Sequence, residues 1–163
     1  ALVVERCVGA LQHVGDKQTI AQLSRIPLRA RDAHIDRLCA LAEKAIDARE
    51  SGRDLLANAE AELRSLTARY LHALETKDSK AYVDVHAFGF RRAADEAKVK
   101  TDVLENAEIG DIIQSVKRIA GRESFQIDRD KLQAVLVVDG RFRVTYVYEV
   151  EGWGIAGVER IVP

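Results

Sequence analysis

Positions 35, 38, 42, 45, 49, 52, 56, 59, 63, 66, 70 and 73 advance in alternating steps of three and four without a slip. Ile35, Leu38, Leu56, Leu63, Leu66 and Tyr70 supply most of the bulk on this line, and small alanines fill much of the rest. A stripe of that period keeps one helix face apolar over its whole length, and it needs a second helix to cover it. The interruption is Arg49 and Gly52, inside the run "ARESGRD". Glycine costs about 1 kcal/mol in a helix interior and Ser51 is a competent N-cap, so a break into a helical hairpin is one reading. The phase survives the interruption, which favours a single helix of about 65 Å at 1.5 Å per residue.

On either side of the stripe the period differs. Val3, Cys7, Leu11 and Val14 predict one short helix, and "KQTIAQLSRI" before Pro27 predicts a second. "AYVDVHAFGF" predicts a strand from Tyr82, with a bulge at Gly89 and Arg91-Arg92 carried outward at its end. "NAEIGDIIQSVKRIAG" predicts a helix. "FQIDRDKLQAVLVV", Asp139-Gly140 and "RFRVTYVYEVEGW" predict a hairpin, because Asp-Gly suits a two-residue primed turn. In its second strand Phe142, Val144, Tyr146 and Tyr148 share one face. "GIAGVERIV" is a candidate last strand. The fold class is therefore α+β: N-terminal helices, a long heptad helix or helical hairpin, then a small antiparallel sheet with one short helix. The expected divisions are 1–30, 31–77 and 78–163.

Little in the chain reads as chemistry. The four histidines and two cysteines lack the short recurring intervals of a zinc site, no G-x-S-x-G elbow or phosphate loop occurs, and "GWGIAG" opens no helix. We assign no catalytic residue, metal ligand or cofactor. Cys7 and Cys39 read as buried reduced thiols, no run spans a membrane, and the expected location is cytoplasmic. With 25 basic against 26 acidic residues the net charge is −1, so a polyanion site has to be local. Two basic clusters qualify. Arg25 to Arg31 lies between two helices, and residues 19–38 outline a helix-turn-helix, although Asp32 and Asp36 sit at the end meant for DNA. The second cluster is Arg91, Arg92, Lys98, Lys100, Lys117 and Arg118, a candidate phosphate-binding stripe diluted by Asp95, Glu96 and Asp102.

A heptad helix followed by "FGFRR", Lys98-Val99, "SVKRIAG" and "IDRDKL" resembles, over residues 35–135, the phage Gam host-nuclease inhibitor family. Gly89-Phe90-Arg91 looks like that family's Gly-aromatic-Arg, and Ile127, Asp128 and Lys131-Leu132 look like its later segment. The chain departs from the pattern at His86, where the family carries glycine, and at Ala93 and Ala94, where it favours proline. The resemblance implies a homodimer paired along the 35–73 seam, binding double-stranded DNA ends without sequence preference and shielding them from nucleases. From the residues alone a protein-interaction or assembly module without nucleic acid stays open, as does a ligand pocket near Tyr146, Tyr148 and Trp153.

Overall fold

The computed structural model describes residues 2–161, the Leu2 side chain excepted. The chain is α+β, with helices first and a four-stranded antiparallel sheet at the C-terminal end. It divides into two compact units: residues up to Ala57 together with Glu149–Glu151, and Asn58–Tyr148 together with Gly152 onward.

In the first unit α1 (Leu2–Val14) and α2 (Lys17–Leu23) lean on α3 (Ala33–Glu50), and a 3-10 turn (Pro27–Ala30) links α2 to α3. Asp16 starts α2 with a reciprocal capping box: its carboxylate accepts from Thr19 N at 2.9 Å, and the Thr19 hydroxyl accepts from Asp16 N at 3.1 Å. Asp32 starts α3 by accepting from His34 N at 2.9 Å. The core is Val8, Leu23, Ile35, Cys39, Ala42 and Ile46. Of the apolar positions expected on α1, Leu11 packs against this core, whereas Val3, Cys7 and Val14 are exposed. The inward face is Val4, Val8 and Leu11; a neighbouring stripe one residue away lies about 100° round the helix, and periodicity does not choose between two adjoining apolar stripes. The thiol expected to be buried at Cys7 therefore faces solvent, while Cys39 is buried and its thiol is pushed up by that burial.

The long helix does not form. α3 stops at Ser51 in a Schellman motif: Gly52 N donates to Arg49 O at 3.0 Å and Arg53 N to Ala48 O at 2.8 Å, with Gly52 left-handed at φ +68°. Turns occupy residues 51–58, and α4 runs Ala59–Thr76. Arg49, the odd occupant of the stripe, instead donates to Gln12 O at 2.8 Å, His13 O at 3.0 Å and Gly15 O, closing the open carbonyls of α1.

In the second unit α4 leads to α5 (Ser79–Asp84), α6 (Phe88–Ala93), α7 (Glu96–Lys98) continued by a π-helical segment (Val99–Leu104), and α8 (Ile109–Ile119). The sheet follows in the order β1 (Phe125–Asp128), β2 (Gln133–Val138), β3 (Phe142–Glu149), β4 (Gly152–Arg160). Asp139 and Gly140 both have positive φ, 54° and 66°, and Arg141 N donates to Val138 O at 3.0 Å. With Val138 opposite Phe142 the β2–β3 loop holds residues 139–141, one more than the two-residue turn expected. Phe142, Val144, Tyr146 and Tyr148 are buried on one face, as the alternation predicts. The run expected as one strand before this turn is two, β1 and β2, folded back at residues 129–132, with Phe125 opposite Leu136.

The strand expected from Tyr82 to Arg92 is instead the end of α5 and most of α6, with residues 85–87 outside both helices. α4 ends in its own Schellman motif, with Asp78 N donating to Ala73 O at 3.1 Å and Lys77 left-handed at φ 52°. Asp78 then caps α5 by accepting from Ala81 N at 3.0 Å. Tyr82 on α5, His86 between the two helices and Phe90 on α6 bring their rings together across the break, with centroids 4.4 and 4.3 Å apart. The only extended pairing left is at His86 opposite Ile155: Ala87 N donates to Ile155 O at 2.9 Å and Ile155 N to Val85 O at 3.0 Å. Gly89 makes no bulge and sits in α6.

Candidate functional site

α4 is buried along Leu63, Leu66, Thr67, Tyr70, Ala73 and Leu74, which join the sheet residues Ala134, Leu136, Val144 and Tyr146 in one core. The Thr67 hydroxyl and the Tyr146 hydroxyl lie 2.8 Å apart there, and burial pushes Tyr146 up to about 12. His86 sits in the same interior, its Nδ1 2.7 Å from Tyr82 O, with its pKa lowered because burial penalises the imidazolium.

The opposite face of α4 carries Ser65, Ala68, Arg69 and His72 at i, i+3, i+4 and i+7. With Ala81 and Asp84 of α5 and Val85 just beyond it they line a groove of about 540 Å³, open along one side. Small side chains make its floor, because Ala68 and Ala81 leave space that a larger residue would fill. No hydrogen bond or ion pair within the described residues engages the Arg69, His72 or Asp84 side chains. A second cavity of about 180 Å³ lies under Tyr70, Tyr82 and Ile112, with Asp102, Asn106 and Glu108 at its lining.

A serine, a histidine and an aspartate in one groove invite comparison with a catalytic triad, and the helix rules it out. Ser65 and His72 are seven residues apart on α4, about 10 Å along the axis at 1.5 Å per residue. A nucleophile and its base need to lie about 3 Å apart. The groove can hold a partner by shape and charge; it does not assemble a proton-transfer relay.

The residues expected to bind DNA are spread over four elements. Arg91 and Arg92 lie in the last turn of α6, Lys98 ends α7, Lys100 is in the π-helical segment, and Lys117 and Arg118 are in the last turn of α8. Lys117 is tied to Glu75 at 2.5 Å and Arg118 to Asp139 at 2.6 Å, so these two charges are answered within the chain. Arg92, Lys98 and Lys100 are exposed, with no carboxylate partner among the described residues. In the helix-turn-helix region Arg29 is folded onto α3, bonded to Asp36 at 2.9 Å and to Glu43.

The expected dimer seam is consumed inside the chain. Ile35 belongs to the first core, with Leu38 packed against it; Leu63, Leu66 and Tyr70 belong to the second; Leu56 is buried as well. Of the pocket aromatics, Tyr146 is core and Tyr148 is buried edge-on to Trp153, with centroids 5.4 Å apart. The groove itself was missed from sequence. Its α4 wall shows as a small, polar stripe, but its other wall is α5, which alternation had presented as a strand.

No helix among the described residues is long and apolar enough to cross a membrane. No family model, curated protein or solved structure matches the chain.

Proposed function

We propose that this chain is a non-enzymatic protein-interaction module that holds a segment of a partner protein in the α4–α5 groove. One observation carries the reading: three ionisable side chains, Arg69, His72 and Asp84, surround a small-residue floor and have no partner within the described residues. Several arginines elsewhere are answered by carboxylates, as in Arg118–Asp139, Arg141–Asp111 and Arg143–Glu159. Interfaces depend on a central contact patch that excludes water, with charges at its margin setting specificity.

The test places a photo-crosslinking amino acid at Ala68 and, in a separate variant, at exposed Gln126 on β1. A protein captured at 68 and not at 126 is then purified and titrated against the chain. Ala68→Arg should weaken that binding at least tenfold with the thermal melt unchanged. Equal capture at both positions, or an affinity indifferent to Ala68→Arg, removes the reading.

A second reading, sequence-independent duplex binding of the Gam type, is favoured by exposed, unpaired Arg92, Lys98 and Lys100. It predicts that affinity for linear duplex falls with salt at a log–log slope of about −0.9 per phosphate contacted. Replacing Arg92, Lys98 and Lys100 with alanine should flatten that slope, and an unchanged slope counts against it.

A further inference from the structure

The groove reading is the base for a more specific assignment. We infer that the occupant is an α-helix of a partner protein, presenting a carboxylate to Arg69, a basic side chain to Asp84, and small or aliphatic side chains to the floor between them.

Three features of the groove select that occupant. Both walls are helices, whose backbone donors and acceptors are used within the helices, so an extended segment has no free edge on which to add as a strand. The α4 wall is a straight ridge, Ser65, Ala68, Arg69 and His72, about 10 Å or two turns long. Helix axes approach to about 8–10 Å according to the side chains at their contact, and Ala68 and Ala81 favour the near end of that range. A third helix can therefore lie along the groove with its own ridge on Ala68, Ala81 and Val85.

Charge decides the chemistry of its flanks. Arg69 on α4 and Asp84 on α5 line the same groove without bonding each other, so each leaves its charge for an incoming group. A nucleic acid would bring its phosphates against Asp84 as well as Arg69. A helix with an acidic flank and a basic flank meets both charges, and the opposition of the two walls sets the direction in which it runs.

The probes are three fluorescein-labelled amphipathic peptides with the same Ala/Leu stripe. The stripe is flanked by Glu on one side and Lys on the other, by Glu on both sides, or by Lys on both. Binding to the full chain is read by anisotropy. The mixed-flank peptide should bind at least tenfold more tightly than either single-sign peptide. Arg69→Glu should shift the preference to the all-Lys peptide and Asp84→Lys to the all-Glu peptide; Ala68→Arg should exclude all three. Both charge positions are exposed, so melts of these variants should match the parent. If the preferences stay fixed while the charges are reversed, or if none of the peptides binds at millimolar concentration, the assignment is wrong. Position-specific crosslinking at Ala68 would survive that outcome if the groove binds a partner of another shape, which keeps the two failures distinguishable.

Discussion

One heptad stripe ends in two different interiors. Its first half, Ile35, Cys39's neighbour Leu38, and Ala42, packs against α1 and α2 in a core that contains no aromatic side chain; residues 1–57 hold no Phe, Trp or Tyr. Its second half, Leu63, Leu66, Tyr70 and Ala73, packs with the sheet in a larger core that includes Tyr82, Phe142 and Tyr146. Small, locally connected cores bury less apolar surface per residue than larger ones and open at lower free energy. The first unit should therefore be the less stable of the two, although its stripe follows the same rule.

The largest expected effects test whether the two interiors are separate. Tyr146→Ala removes the Thr67 hydrogen bond and the edge contact with Phe125, and it should cost about 3–5 kcal/mol. Ile46→Ala in the first unit should cost about 2–4 kcal/mol. Amide hydrogen exchange should report each loss in its own unit. Parallel loss in both units for either variant would break the comparison.

Next come two glycines, one per unit, held by close approach. A Cβ on Gly15 would meet Leu11 O at 2.7 Å and Ile46 Cδ1 at 2.8 Å; one on Gly154 would meet Ala87 Cα at 2.9 Å. Both alanine variants should lose about 1–3 kcal/mol of stability. In both cases the first obstacle is backbone. At Gly15 the next two are the Ile46 and Thr19 side chains, whereas at Gly154 all three are backbone atoms of His86 and Ala87, so Gly154→Ala should be the harder to relieve. Equal denaturant midpoints for parent and variant would show that the chain can shift there at no cost.

pH separates the units more finely. His86 is buried and its folded pKa lies below the ordinary imidazole value of about 6.5, so the unfolded chain takes up a proton first as pH falls. Its contribution is fully present above about pH 6.5 and is lost as pH drops toward the folded value, with a slope of at most about 1.4 kcal/mol per pH unit. His86→Phe should abolish that slope in the second unit. The first unit has no buried histidine among its described residues, and its exchange rates, corrected for intrinsic pH dependence, should not follow the same curve.

The smallest expected effects have opposite signs at two similar helix ends. α3 closes on left-handed Gly52 and α4 on left-handed Lys77. Gly52→Ala should destabilise by about 1 kcal/mol, while Lys77→Gly should stabilise by about 0.5–1 kcal/mol through release of the Cβ penalty. Thermal melts that move in the same direction for both would overturn the assignment of strain to Lys77.

Much of this architecture could be read from residue order. The α1, α2 and α8 segments, the Asp139-Gly140 turn, the inward face of β3 and the final strand all follow from local periodicity and turn chemistry. These are properties of neighbouring residues, carried with the chain wherever it folds. The apolar period along 35–73 likewise marks which side of each helix is buried. What period cannot state is the identity of the covering surface, and here α1, α2 and the sheet cover it in place of a second copy. The interruption at Gly52 was visible, but whether it ended the helix depended on Arg49 finding the carbonyls of α1, a contact 34 to 37 residues away in the chain. Val83 and Val85 alternate as in a strand, but the Asp78 cap starts a helix that runs to Asp84, and only His86 beyond it keeps an extended pairing. The groove had no signature in any single segment, because its two walls acquire meaning only when α4 and α5 lie side by side. Local periodicity reports the energetics of one element against water; the partner that replaces the water is chosen by contacts between residues distant in the chain.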